Sequence, residues 1–352
     1  MFRSFTHLQE SRQIWSVRRL LDWSVNYFKS KEIPHPKLSA ELLLAAVLNN
    51  TRMELYLNFD RILNKNELAK YRAFVLKRAE YMPVQYILNK AHFRKLDLYV
   101  DENVLIPRPE TELLVDEVLK HCIKFFEYME KQDSGEDRSL KILEIGTGSG
   151  AVSISLAREI FGLLEKKSGN KKNLQDDNEN IKTGPESLQR DFDWSIAATE
   201  VSKKGIEVAK RNAKKLLDDE ELKKVNFFCA DIIPENNGKF LNQYCGKINI
   251  VVSNPPYIRS ADYEKLPREV RQYEPREALL AGETGLEIYK KIIESISTIM
   301  SDKFCIYIFE TDPAISLQVK GLLSEKLAAE EIIIEKDYND RDRIITARVF
   351  KC

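Results

Sequence analysis

The stretch from Val251 to Ile258 reads VVSNPPYI. An apolar run suited to a buried strand stops at Asn254, Pro255, Pro256 and Tyr257. Proline cannot donate to a sheet ladder, and it steers the residue before it out of the α region, so one reading is a turn. The other reading is chemical. Two consecutive prolines fix backbone carbonyls in a stiff, extended geometry, with an amide side chain before them and an aromatic ring after, which makes a rigid polar clamp beside a flat wall.

A second constellation is LEIGTGSGA, which sets Gly146, Gly148 and Gly150 between a strand and a helix, with Thr147 and Ser149 among them. Glycines there permit a tight turn and let backbone N–H groups approach a ligand at a helix N-terminus. A nucleotide-type ligand follows. The G-x-G-x-G spacing departs from the dinucleotide fingerprint G-x-G-x-x-G, which argues against a nicotinamide or flavin enzyme. Glu200 ends the next strand, where a carboxylate of such folds accepts both hydroxyls of a ribose. Capping of the following helix is the alternative. Asp231 follows the third strand, where an adenine amino group could be recognised. Ligands of open α/β sheets bind at the carboxyl edge, and there Glu144, Gly146, Glu200, Asp231 and Asn254 converge.

Those residues need a scaffold, and the hydrophobic rhythm supplies one. From Leu140 the chain alternates strand and helix through KILEIG, WSIAATE, VNFFCA, INIVVS and FCIYIFE, and closes with IIIEKD and RIITARVF as an antiparallel pair. The pattern predicts a Rossmann-like, mostly parallel sheet with helices on both faces. From about Ile14 to Lys90 the spacing is helical: Ser39 reads as the N-cap of AELLLAAVLNN, and Leu68, Tyr71, Val75, Leu76 and Ala79 share one side of another helix. HFRKLDLYVDENVLIP reads as a hairpin connector, and Glu112 to Tyr128 returns to helix. The expected division is a candidate presequence at 1–14, a helical substrate-recognition domain at 15–90, a hairpin linker at 91–110 and an α/β domain at 111–352. Residues 166–191, polar and nearly free of apolar anchors, read as a disordered insertion.

The 352 residues suffice for two or three domains, and 43% hydrophobic with 31% charged residues is a globular composition without a long apolar span. That excludes a membrane-spanning protein. Lysine plus arginine equal aspartate plus glutamate at 55 each, so no global field draws nucleic acid. Cys122, Cys229, Cys245, Cys305 and Cys352, like the four histidines, are scattered without ligand spacing. No metal is assigned, and a reducing compartment is expected. Arg3, Arg12, Arg18 and Arg19 with Ser4, Ser11 and Ser16, against Glu10 as the one acid before Asp22, suggest a mitochondrial presequence. The competing reading makes Trp15, Leu20, Leu21 and Phe28 part of the first helix of the fold.

Taken together, RAEYMPVQYIL, LIPRPETELLV, LEIGTGSGA, VVSNPPYI, YEPREALLAGETGLEIY and DYNDRDR resemble the HemK/PrmC family over nearly the whole chain. That resemblance implies a class I S-adenosylmethionine-dependent methyltransferase preceded by a small helical domain. Its substrate would be the glutamine of the Gly-Gly-Gln motif in a class-one peptide-chain release factor. It further implies that the Gly146–Gly150 loop cradles the methionine part of S-adenosyl-L-methionine, that Glu200 holds the ribose, and that Ile232 lies beside the adenine next to Asp231. Where the bacterial motif is commonly G-x-R-x-F, this chain has NKAHF: Phe93 keeps the aromatic near the cofactor, and the arginine is lost. Pro107, Arg108, Pro109 and Glu110 match a turn that packs beside the active site, with substrate contact by Arg108 or Glu110 left open.

Under this reading Asn254 and Pro255 supply two acceptors, the side-chain oxygen and the backbone carbonyl, that hold the two N–H bonds of a carboxamide while Tyr257 packs on its plane. Such positioning can supply roughly 7–11 kcal/mol for ideally oriented reactions. Partners are expected to be a release factor, with no membrane and no direct nucleic-acid binding, and the protein is expected to be a monomer. The alternative is an amino-group methyltransferase acting on DNA or RNA bases, which uses the same clamp and predicts a basic groove or base-reading domain.

Overall fold

The computed structural model describes residues 14–131, 138–166, 192–234, 236–296, 299–301, 305–327 and 329–349. The presequence expected at 1–14 and the insertion expected at 166–191 lie almost wholly outside the described residues. The chain divides into two units, one formed by Met1–Asn89 with Pro267–Tyr273 and the other by Lys90–Leu266 with Glu274–Cys352.

In the first unit the helices Val17–Ser30, Pro36–Leu48, Arg52–Leu57, Lys65–Ala79 and Val84–Leu88 enclose a cluster that includes Trp15, Leu20, Phe28, Leu43, Leu55, Tyr71 and Val75. Side-chain oxygens start three of them: Ser16 accepts from Arg19 N, and Thr51 and Asn64 each form a capping box with a glutamate three residues on. Ser39 is not an N-cap. The helix starts at Pro36, whose fixed φ and missing donor suit a first turn, and Ser39 is buried inside it. Leu76 is exposed rather than part of the buried face, and Arg78 is buried instead. Its guanidinium is satisfied by Ser39 Oγ, by the carbonyls of Pro34 and Met82, and by Glu269 at 2.8 Å. Glu269 lies on the helix Arg268–Tyr273, and Tyr273 also donates to Glu80 O. A segment distant in sequence thus belongs to this unit.

The second unit opens with β1 (Ala91–Phe93) and β2 (Leu96–Leu98), an antiparallel pair. Then come β3 (Leu140–Ile145), β4 (Trp194–Glu200), β5 (Val225–Cys229), β6 (Ile250–Ser253), β7 (Ile258–Arg259), β8 (Leu280–Gly282), β9 (Cys305–Glu310), β10 (Glu331–Lys336) and β11 (Asp342–Val349). The seven-stranded sheet runs β10-β11-β9-β6-β3-β4-β5, with β11 antiparallel to both of its neighbours and the other pairings parallel. All six residues of β3 are buried, as both faces are covered. Successive side chains go to opposite layers: Ile142 joins Leu114, Val118, Ile154 and Val252, while Leu143 joins Phe240, Tyr289, Ile292 and Val251. The chain proceeds from β3 to β4 and β5 on one side and places β6 and β9 on the other. That reversal opens a crevice at the carboxyl ends of β3 and β6. Among the described residues no helix is long and apolar enough to cross a membrane.

Candidate active site

The loop after β3 is held open by three left-handed glycines, Gly146 at φ +74°, Gly148 at +53° and Gly150 at +82°. Gly146 N and Thr147 N both donate to Thr199 O at 2.9 Å, which ties the loop to the end of β4. A Cβ added at Gly146 or Gly148 would meet nothing within 4 Å, so space stands beside them for a ligand. At Gly150 the same atom would lie 2.8 Å from Ile154 Cδ1; that glycine serves close packing.

Glu144 braces this loop from below. Its Oε2 accepts from Thr147 Oγ1 at 2.6 Å and from Ser153 N at 3.1 Å. Burial pushes its carboxyl up to about 7, against the pull of those donors and with a push from Glu200. Asn212, fully buried, is a second brace: Nδ2 donates to Ser149 O and Tyr99 O, and Oδ1 accepts from Tyr99 N.

Ser202, not Glu200, caps the following helix, and Glu200 instead ties that turn to the glycine loop. Oε2 accepts from Gly148 N at 2.9 Å and Oε1 from Ser202 N at 3.0 Å, while Ser202 itself caps the next helix through Gly205 N. Each carboxylate oxygen retains acceptor capacity for a hydroxyl. Asp231 is exposed and ion-paired with Lys291. The side chains of Ile232 and Phe93 are buried in the two apolar layers, at 5% and 0% exposure.

The clamp is anchored by Ser253, whose hydroxyl donates to Ile145 O at 2.8 Å and ties β6 to β3. Pro255 is buried; Asn254, Pro256 and Tyr257 are half-buried. Asn254 Nδ2 donates to Thr111 Oγ1 at 3.1 Å, and Thr111 Oγ1 donates to Glu310 Oε2 at 2.7 Å. Glu310 ends β9, is 1% exposed, and burial pushes its carboxyl up to about 7 while the Thr111 hydroxyl and Arg343 pull it down. Burial also raises the Tyr257 phenol. Gly285, at φ +83°, lets its loop approach, since a Cβ there would sit 2.9 Å from Tyr257 O.

Arg108 donates to Glu274 Oε1 at 2.6 Å, and the other oxygen of Glu274 accepts from Ile106 N. The turn before the helix Glu112–Glu130 is thereby locked, and Arg108 has a structural partner. Thr111, Glu274, Glu310 and Asn212 are the residues that sequence reasoning missed. Glu310 could have been found by extending the carboxyl-edge rule to the fifth strand; Asn212, inside a regular helix, carries no such signal.

The family of the PrmC N-terminal domain matches residues 19–88. A release factor glutamine methyltransferase from Chlorobaculum tepidum is 34% identical over 331 residues, covering 94% of this chain and 96% of its own length. The chain belongs to the release factor glutamine methyltransferase family. Its relative from Bacillus subtilis is 32% identical over 96% of this chain and 99% of its own, and that from Geobacter sulfurreducens 33% identical over 81% of each. The fold is that of class I S-adenosylmethionine-dependent methyltransferases, and the crevice suits that cofactor: open space at Gly146 and Gly148, acceptor capacity on Glu200, and a buried brace that keeps the loop in its left-handed turns.

Proposed function

We propose that this protein methylates the side-chain nitrogen of the glutamine in the Gly-Gly-Gln motif of a class-one release factor. The observation that carries the reading is the Asn254 side chain: its Nδ2 is committed to Thr111, which leaves Oδ1 as the free acceptor, and the next residue, Pro255, has no N–H to compete. When bound, S-adenosylmethionine supplies a methyl group on a sulfonium. A carboxamide nitrogen is a poor nucleophile because its lone pair is delocalised, so the task of the chain is positioning. Asn254 Oδ1 and Pro255 O accept the two N–H bonds, Tyr257 stacks on the amide, and the product proton leaves to solvent, with no dedicated base. Holding reactants so can supply several of the roughly 7–11 kcal/mol available from orientation.

The helical unit is the proposed recognition module for the folded factor, and the enzyme is proposed to act as a monomer without contacting nucleic acid, in keeping with its balanced charge. Arg3, Arg12, Ser4 and Ser11, with Glu10 as the one acid before Trp15, support action in the mitochondrion, on the organellar factor, while Arg18 and Arg19 belong to the helix Val17–Ser30 and Ser16 caps it. Incubation with labelled S-adenosylmethionine and release factors of either compartment, with the motif glutamine intact or changed to alanine, tests the activity. Label confined to the intact motif supports the reading, and label on DNA or RNA alone overturns it. Import of the full chain into isolated mitochondria tests the compartment, and exclusion of the chain overturns that part.

A further inference from the structure

We propose that Glu310 and Thr111 are positioning residues that set which end of the Asn254 amide faces the substrate. The inference rests on the methyl-transfer reading above and goes beyond it in assigning a relay. An ionised carboxylate only accepts, so Thr111 must donate its single hydroxyl hydrogen to Glu310 Oε2 at 2.7 Å. Thr111 Oγ1 can then only accept from Asn254, which turns Nδ2 toward it at 3.1 Å and leaves Oδ1 for the substrate N–H. A proton on Glu310 removes that constraint, and the chain can run the other way. Glu310 donates to Thr111, Thr111 donates to Asn254 Oδ1, and the amide turns over to present donors where acceptors are needed.

The surroundings favour such a switch. Glu310 is 1% exposed and Thr111 5%, so no bulk water substitutes for either partner. The charged and titratable groups facing Glu310 are Arg343 and Arg108, which favour its ionised form, and Glu110, which opposes it. Tyr257 and Tyr289 also lie within the field of Glu310, Tyr289 donating to its backbone carbonyl at 2.7 Å. Burial places the Glu310 transition at about 7, within the working range of an enzyme.

Two readouts on the full-length protein test the relay. By NMR with asparagine-labelled protein, assigned through Asn254→Ala, the Asn254 side-chain amide resonance is expected to shift between pH 5.5 and 8.5 with a midpoint near that of Glu310, and to stay flat in Glu310→Gln. A flat wild-type resonance overturns the proposal whether or not the chain methylates a release factor. By kinetics, kcat is expected to fall on the acid side with the same midpoint while KM for S-adenosylmethionine is steady. Thr111→Val is expected to lower kcat at pH 8 by about tenfold, the effect of one buried hydrogen bond, and Thr111→Ser, which keeps the hydroxyl, to recover most of it. Equal kcat in Thr111→Val and wild type overturns the relay. Absence of methyl transfer by the wild type itself would count against the proposed function instead, and the resonance would still decide the relay.

Discussion

The Gly148 amide donates to Glu200 Oε2 across 2.9 Å, so the loop expected under the methionine part of the cofactor and the acid expected at the ribose form one hydrogen-bonded unit. Removing the charge should therefore disturb two contacts at once. Glu200→Gln is expected to weaken S-adenosylhomocysteine binding about 10- to 100-fold, the usual worth of a charge-assisted bond, as measured by calorimetric titration. An unchanged Kd would remove Glu200 from the site.

Gly150 and Gly148 should respond oppositely to alanine. At Gly150 a Cβ would be driven into Ile154 Cδ1 at 2.8 Å on top of a φ of +82°, whereas at Gly148 it would enter open space. Gly150→Ala should lower stability by roughly 1–3 kcal/mol through strain and overpacking, seen as the larger drop in Tm. Gly148→Ala should cost less stability and more cofactor affinity, because the space it fills is the ligand's. Equal effects on both properties would contradict the distinction.

Asn212→Ala should destabilise the second unit without touching the clamp. It strips partners from Tyr99 N, Tyr99 O and Ser149 O around a fully buried side chain. Leaving buried polar groups unmade costs roughly 1–3 kcal/mol, measurable by urea denaturation. A loss below about 0.5 kcal/mol would show that water replaces the asparagine.

Glu144 makes stability depend on pH. Its carboxyl is raised from 4.5 to about 7 in the folded protein, so its stabilising contribution is full below about pH 4.5 and is lost as pH rises through about 7. Glu144→Gln keeps an oxygen able to accept from both Thr147 and Ser153, and carries no charge. The fall in Tm between pH 5 and pH 8 is expected to be smaller in this variant than in wild type. Parallel Tm curves would assign the titration elsewhere.

Asn254→Ala should separate chemistry from binding. The hydrogen bond that fixes its amide runs to Thr111, which is not part of the glycine loop. A drop in kcat of about a hundredfold or more, with cofactor affinity preserved, is expected for loss of an orienting acceptor. Single-turnover methylation of a release factor alongside cofactor titration checks both.

Much of this was legible from local pattern. The order of strands and helices from Leu140, the closing antiparallel pair, and the placing of Gly146, Glu200, Asp231 and Asn254 at one edge follow from period, turn chemistry and the rule that open sheets bind ligands at their carboxyl ends. Local pattern failed where a distant partner decided the outcome. Ser39 resembled a cap, but it lies inside a helix that Pro36 begins, and its hydroxyl accepts from Arg78, 39 residues on; Leu76 fitted the apolar stripe, but Arg78 is buried because Glu269, from a segment remote in sequence, pairs with it.

The sequence by itself determined which residue types arrive at the crevice, since side-chain chemistry and the spacing that makes strands and turns are local properties. Tertiary structure alone decided what each of them faces. Thr111, Asn254 and Glu310 lie 143 and 199 residues from one another's partners along the chain, counted from Thr111, and no periodicity connects them. Their hydrogen bonds, and with them the orientation of one amide, exist only because the sheet brings β6 and β9 side by side at the start of the helix Glu112–Glu130.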